Sequence, residues 1–402
     1  MKHRGRGHLE YHLLLLVTLG LVAFGLVMVY SASSARALLA SGDSAYYLKR
    51  QALYALVGVA ALVVFSRIEF SRLRHAAGPL LALSFGLLGA VLVLGTAVNG
   101  ARRWLSVGAL DFQPSELAKL ALALWVAVVL TRRPAPHSLG ELARPLGLVV
   151  GAACGLILLE PDLGTAIAIV IMTGAMLVVA GTRLRVLAGA SGVALTIVLA
   201  AIWLEPYRRA RIFSFLDPWA DAEGAGFQAV QAMIALGSGG FFGVGLGESV
   251  QKIYYLPEAS TDMIFAIIGE ELGLFGALGV IAAFAVFGYA GFNVALRCRD
   301  PFGKRLAAGI TALVCGQAAV NVSAVMGLAP LTGIPLPFVS YGGSSLIVGL
   351  ASVGILLNIA TSHGAAAAQV PHRRRRDGRA RPARTRDRGG SERARRGRAV
   401  RV

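Results

Sequence analysis

Asp262 closes a polar and aromatic run, SVQKIYYLPEASTD (249–262), that leads straight into an apolar segment. A carboxylate at the mouth of a membrane helix is expensive unless a cavity, a partner or a reaction retains it, so Asp262 is the first candidate for chemistry. Pro257 and Glu258 suit a helix start, and Asp262 follows Glu258 by one helical turn, so on a helix both carboxylates share a face. On the residues alone, Asp262 is either a helix cap or a group retained for chemistry, and Glu258 is undecided between a cap and a helper.

The elements that must hold these carboxylates are membrane helices. The 402-residue chain is 56% hydrophobic and only 15% charged, with 49 glycines, which excludes an ordinary soluble domain. Apolar spans at 13–30, 51–65, 77–98, 117–130, 145–159, 163–180, 186–204, 263–291, 306–328 and 344–359 predict an all-α polytopic fold of about ten helices. The motif SASSARA after the first span resembles a cleavage site. That span is longer than a signal-peptide core and more spans follow it, so a retained anchor is expected. The organisation expected is a leader (1–10), a ten-helix domain (11–361) with a long loop (205–262) between helices 7 and 8, and an Arg-rich tail (362–402). The net charge of +18 is concentrated in that tail, where 371–402 holds fourteen Arg against three acids. Cys154, Cys298 and Cys315 show no metal-ligand spacing.

One alternating set of connections carries Arg67, Arg72 and Arg74, then Arg132, Arg133 and Arg144, then Arg183 and Arg185, then Arg297, Arg299, Lys304 and Arg305. The positive-inside rule puts these, and both termini, in the cytoplasm. The other set contains the four segments of unusual sequence: 99–115, 160–162, 205–262 and 330–343.

In the first of these, Gln113-Pro114 with Glu116 marks a helix N-terminus, and Glu116 and Lys119 at i, i+3 can pair just inside the membrane. Arg102, Arg103 and Trp104 precede them, as an interfacial belt or as ligands for an anion. The second, EPDLGT, has almost no loop. The apolar span before it covers about 22 Å, short of a ~30 Å hydrocarbon core, so the turn at Glu160 is expected below the surface, with Asp162 a candidate cap. The third places Arg208, Arg209 and Arg211 at a membrane exit, then a short amphipathic helix at 229–236 lying on the membrane, then GSGGFFGVGLG as a flexible run. No GK[ST] follows those glycines, which excludes a nucleotide loop. The fourth, PLTGIPLPFVSYGGSS, is expected to be a rigid re-entrant or capping loop with Ser340 and Tyr341 as donors.

EPDLGT, QKIYYLPEASTD, GEELGLFG and PLTGIPLPFVSYGGSS, in this order, resemble the SEDS (shape, elongation, division and sporulation) family of ten-helix glycosyltransferases, over roughly 9–361. The QKIYYLPEASTD run is similar to the division-associated branch more than to the elongation branch. The resemblance implies polymerisation of lipid II at the outer membrane face, with inversion at the anomeric carbon. It places the family's essential carboxylate at Asp262, acting as base on the attacking sugar hydroxyl. Arg102, Arg103, Lys119, Arg208 and Arg211 are implied as pyrophosphate clamps, with Trp104, Glu116, Glu160, Glu258 and Ser340 around the substrate. No cofactor is certain; a divalent cation, Mg or Mn, is compatible with a pyrophosphate leaving group. The partners implied are a class B penicillin-binding protein and other division proteins, and no nucleic acid is expected. The tail suits anionic lipid or a cytoplasmic division protein. The rival functions are a lipid II flippase, which predicts ionisable groups at discontinuous helices near the midplane, and a non-catalytic scaffold.

Overall fold

The structure is a computed structural model and describes residues 6–98, 101–107, 110–253 and 255–368; the leader's first five residues and the tail from 369 lie outside them. Among the described residues, ten helices are long and apolar enough to cross a membrane. In chain order the helices are α1 (Arg6–Ser41), α2 (Tyr46–Arg67), α3 (Leu73–Leu94), α4 (Pro114–Arg132), α5 (Leu139–Leu142), α6 (Leu148–Leu159), α7 (Leu163–Ala180), α8 (Leu184–Leu204), α9 (Pro206–Leu216), α10 (Phe227–Ser238), α11 (Ile264–Arg297), α12 (Pro301–Val325) and α13 (Gly343–Ala368). α5 and α6 are joined through a kinked turn into one span, Leu139–Leu159; α9 and α10 belong to the long loop. The chain is a multi-pass, all-α membrane protein.

α4, α12 and α13 form the centre. Their apolar windows are 67–78% buried, against 6% for α8, which stands almost alone at the rim. Small residues allow the close crossings: Gly354 of α13 lies against the Leu62 backbone of α2, and Gly291 of α11 against Thr311 of α12.

Four features differ from the expectations. Between α3 and α4 the chain forms a small antiparallel sheet, β1 (Thr96–Val98), β2 (Ala101–Val107) and β3 (Leu110–Phe112). The fifth span starts at Leu139, not 145; its 21 residues cover about 31 Å, so the Glu160 turn is not drawn inward by a short helix. The third difference is at Glu258, where the backbone is left-handed (φ 56°) and helix α11 starts only at Ile264, so Glu258 and Asp262 do not share a helix face. The fourth is in α11, which is broken at Gly273 (φ 65°, ψ −161°), leaving a half-helix from Ile264 to Leu272.

The GSGGFFGVGLG run is therefore not a free loop, because it fills that break. The freed carbonyls of Glu270 and Glu271 accept from Val244 N (3.0 Å) and Gly245 N (3.1 Å), and Leu274 N donates back to Gly240 O (2.9 Å). Glycine is required at this crossing: a Cβ on Gly239 would meet Gly269 O, one on Gly243 the Glu271 carbonyl, and one on Gly273 the Gly243 amide. The expected amphipathic helix is present as α10, and it packs Val230, Ala232 and Ala235 inward beside the half-helix.

Candidate active site

All four unusual segments meet at one end of the bundle. Arg103 Nε donates to Glu160 O (2.9 Å), Arg211 Nη1 to Leu331 O (3.0 Å), and Tyr341 N to Ser260 O (2.8 Å). Gln113 N donates to Ser344 Oγ (3.0 Å), joining the hairpin to the start of α13.

Asp262 sits in the turn just before the half-helix. Thr261 Oγ1 bridges the two acids, 2.9 Å from Glu258 Oε2 and 3.3 Å from Asp262 Oδ1. Burial, and next the Glu258 charge, push the Asp262 acid up to about 6, while Arg211 pulls the other way. A carboxylate with that affinity is ionised at neutral pH yet basic enough to take a proton, the balance a general base needs. Gly333, left-handed at φ 72°, lies beside it; a Cβ there would be 3.8 Å from Asp262 Oδ2.

Glu116 and Lys119 pair at 2.8 Å on the first turns of α4, with side chains 5% and 3% exposed. They border a small cavity with Gln317, Leu336 and Ser340. The Ser340 hydroxyl accepts from Leu336 N (2.8 Å), so it caps a turn of the re-entrant segment. That segment enters the bundle deeply: Ile334, Leu336, Phe338 and Val339 are buried, and Gly25 of α1 makes room for its Phe338 and Val339 backbone.

Asp162 caps α7, accepting from Thr165 N (3.0 Å) and Thr165 Oγ1 (2.8 Å). Glu160 is fully buried and neither carboxylate oxygen has a hydrogen-bond partner. Burial, with the Asp162 charge second, pushes its acid up to about 8 against the pull of Arg103, so it is mostly protonated at neutral pH. Arg103 gives two donors to this turn, the second to Pro161 O, and thereby clips the hairpin over it. Arg102 is exposed on β2 and Trp104 half-buried on the same strand. Arg208 lies on α9, and its side chain is outside the described residues.

Beside this mouth is an apolar cavity of about 590 Å³ between α7, α8 and α12, lined by Ile167, Ile171, Val198 and Val320, and also by Arg211, Leu331 and Thr332. Arg211 therefore both lines the cavity and acts on the charge of Asp262.

A second buried polar cluster lies behind the mouth. Lys252 Nζ donates to Glu271 Oε1 (2.7 Å), Gly247 O (2.6 Å) and Ser31 Oγ (3.2 Å), and Ser31 donates to Glu271 (2.7 Å). Glu270 accepts from Ser249 Oγ (2.5 Å) and Val250 N (3.1 Å). These acids fasten the 247–252 stretch to the half-helix. None was a candidate from sequence, although two adjacent glutamates in an apolar run fall under the same cost argument that selected Asp262.

The chain is similar to known proteins over most of its length. The profile of the cell cycle protein family FtsW/RodA/SpoVE matches residues 11–364. A protein named "Probable peptidoglycan glycosyltransferase FtsW" from Trichlorobacter lovleyi is 44% identical over 356 residues, 87% of this chain and 93% of the relative. Stage V sporulation protein E of Bacillus subtilis is 40% identical over 353 residues, 86% of this chain and 96% of that protein. Two solved structures superpose over 87% of this chain: one described as showing coordination of polymerization and crosslinking by a peptidoglycan synthase complex (TM-score 0.73, 33% identity, 97% of that chain) and rod shape determining protein RodA of Thermus thermophilus (TM-score 0.63, 29% identity, 96% of that chain). The profile takes in every spanning helix and the Asp262 mouth they enclose, and by that match the chain belongs to the SEDS, or FtsW/RodA/SpoVE, family of cell cycle proteins.

Proposed function

We propose that the chain is a peptidoglycan glycosyltransferase that polymerises lipid II at the outer face of the cytoplasmic membrane, and that Asp262 is its general base. The observation that carries this is the adjacency of three parts: an apolar cavity, a guanidinium in its lining, and a carboxylate of raised proton affinity on whose charge that guanidinium acts. The cavity suits a polyprenyl chain, and Arg211 faces the pyrophosphate, with Arg102 a second cation on the hairpin. The acceptor sugar's 4-hydroxyl gives its proton to the Asp262 carboxylate as its oxygen bonds to the donor's anomeric carbon. The bond from that carbon to the phosphate oxygen breaks on the opposite face, with inversion, and undecaprenyl pyrophosphate leaves against the arginines.

The likeness to FtsW-named relatives at 42–44% identity, against 29% for RodA, supports a role in septal rather than elongation synthesis. The likeness to a peptidoglycan synthase complex supports pairing with a crosslinking class B penicillin-binding protein. The Arg-rich tail is assigned to anionic lipid at the cytoplasmic face. The break in α11 does favour comparison with a flippase, since transporters use discontinuous helices for ion sites. Here, however, the Glu270 and Glu271 carbonyls at the break are paired with the Val244 and Gly245 amides of the loop.

Purified protein supplied with labelled lipid II is expected to form glycan strands, and a folded Asp262→Asn variant to lose that activity. Normal polymerisation by that variant would remove Asp262 as base. Movement of lipid II across vesicles without polymer would establish the flippase instead.

A further inference from the structure

Asn321 lies near the C-terminal end of α12, is 2% exposed, and touches the mouth without contributing a charge. Its Nδ2 donates one hydrogen to the carbonyl of Asp262 (2.7 Å) and the other to the carbonyl of Ile334 (2.8 Å). Its Oδ1 is buried without a partner. An amide in a membrane helix with one end unpaired is unfavourable, and an apolar residue of the same size would pack there without that penalty. What the amide supplies is the junction itself. Asp262 ends the 249–262 turn, and Ile334 belongs to the re-entrant segment and seats on Gly164 in the first turn of α7. A second bond between the same two segments, Tyr341 N to Ser260 O, flanks it. Between them the carboxylate rests against Gly333.

We propose that Asn321 is a positioning residue for the Asp262 base, holding the Asp262 main chain to the re-entrant segment so that the carboxylate keeps a fixed place and a fixed exposure at the mouth. This rests on the reading of Asp262 as base. The groups facing that carboxylate are Glu258, Arg211 and the Thr261 hydroxyl, and none of them is on α12. Asn321 therefore acts on Asp262 only through its backbone.

The test is Asn321→Leu, which keeps the volume and removes both donors, in the full chain with labelled lipid II. Expected are a kcat lower by about 10- to 100-fold, the scale for a misplaced catalytic group, and an unchanged KM. The acid limb of the pH–rate profile should also move to lower pH as the loosened turn lets water reach Asp262. A purely structural role lowers the active fraction equally at every pH and leaves the limb in place, so reduced activity with an unmoved limb overturns the proposal, as does a wild-type kcat. If Asn321→Leu does not fold, Asn321→Ser withdraws the amide's reach while leaving a small polar group, and the same two quantities decide. Full activity in Asp262→Asn would instead overturn the base assignment itself, so the two failures are distinguishable.

Discussion

Replacing Glu258 by Gln removes the charge that, after burial, does most to raise the proton affinity of Asp262. The single Thr261 hydroxyl that contacts both acids, at 2.9 and 3.3 Å, keeps the carboxylates within about 6 Å of one another. Two unit charges at that distance repel by about 0.7 kcal/mol in bulk water and about 2.8 kcal/mol at an effective dielectric of ~20. Glu258 and Asp262 are both of intermediate exposure, so solvent screening places the effect near 1 kcal/mol, or somewhat under one pH unit. The base works only when deprotonated, so wild-type activity falls as pH drops through about 6. Glu258→Gln takes away a raising influence, so its acid limb moves to lower pH by about 0.5–1 unit and stays above the ordinary carboxylate value, because burial remains. Arg211 lowers the same affinity, so Arg211→Gln moves the limb the other way. The assay is kcat/KM for lipid II polymerisation between about pH 5 and 8, which reports the free enzyme. A limb that does not move in Glu258→Gln, or that moves upward, refutes the assignment of that limb to Asp262.

Lys252→Met leaves Glu271 buried without its cation, a change that costs about 3–5 kcal/mol, so thermal unfolding in detergent should show a clearly lowered midpoint. Gly273→Ala forces a side chain onto a left-handed residue against the Gly243 amide, and about 1–3 kcal/mol of strain should appear as faster proteolysis within 239–247.

The spans and the gathering of the four segments were legible because a bilayer imposes length and hydropathy on each helix separately. The Glu116–Lys119 pair was legible for a related reason: it is local, and helical spacing alone brings it together. The break in α11 was not, since hydropathy does not register one left-handed glycine inside an apolar run. Its trace was the coincidence of Gly239, Gly243, Gly269 and Gly273, which meet only once the loop folds back on the helix. Glu258 and Asp262 do come together as expected, but through a turn and the Thr261 hydroxyl rather than a helix face. Lys252 finds Ser31 across 221 positions, and Arg103 finds backbone carbonyls that carry no sequence signature at all.

The late start of α11 also explains why a charged residue is tolerable at this place. A continuous helix from 249 to 297 would hold Asp262 on its flank, facing lipid or neighbouring helices. Starting the helix only at Ile264 and breaking it at Gly273 leaves a nine-residue half-helix whose N-terminus adjoins Asp262, with Ile264 to Ile268 buried in protein. The dipole of such an N-terminus favours negative charge close by, as do the Thr261 hydroxyl and Arg211. Burial and Glu258 oppose them. The position of Asp262 between these opposing influences leaves it ionised at neutral pH and close to the point of taking a proton.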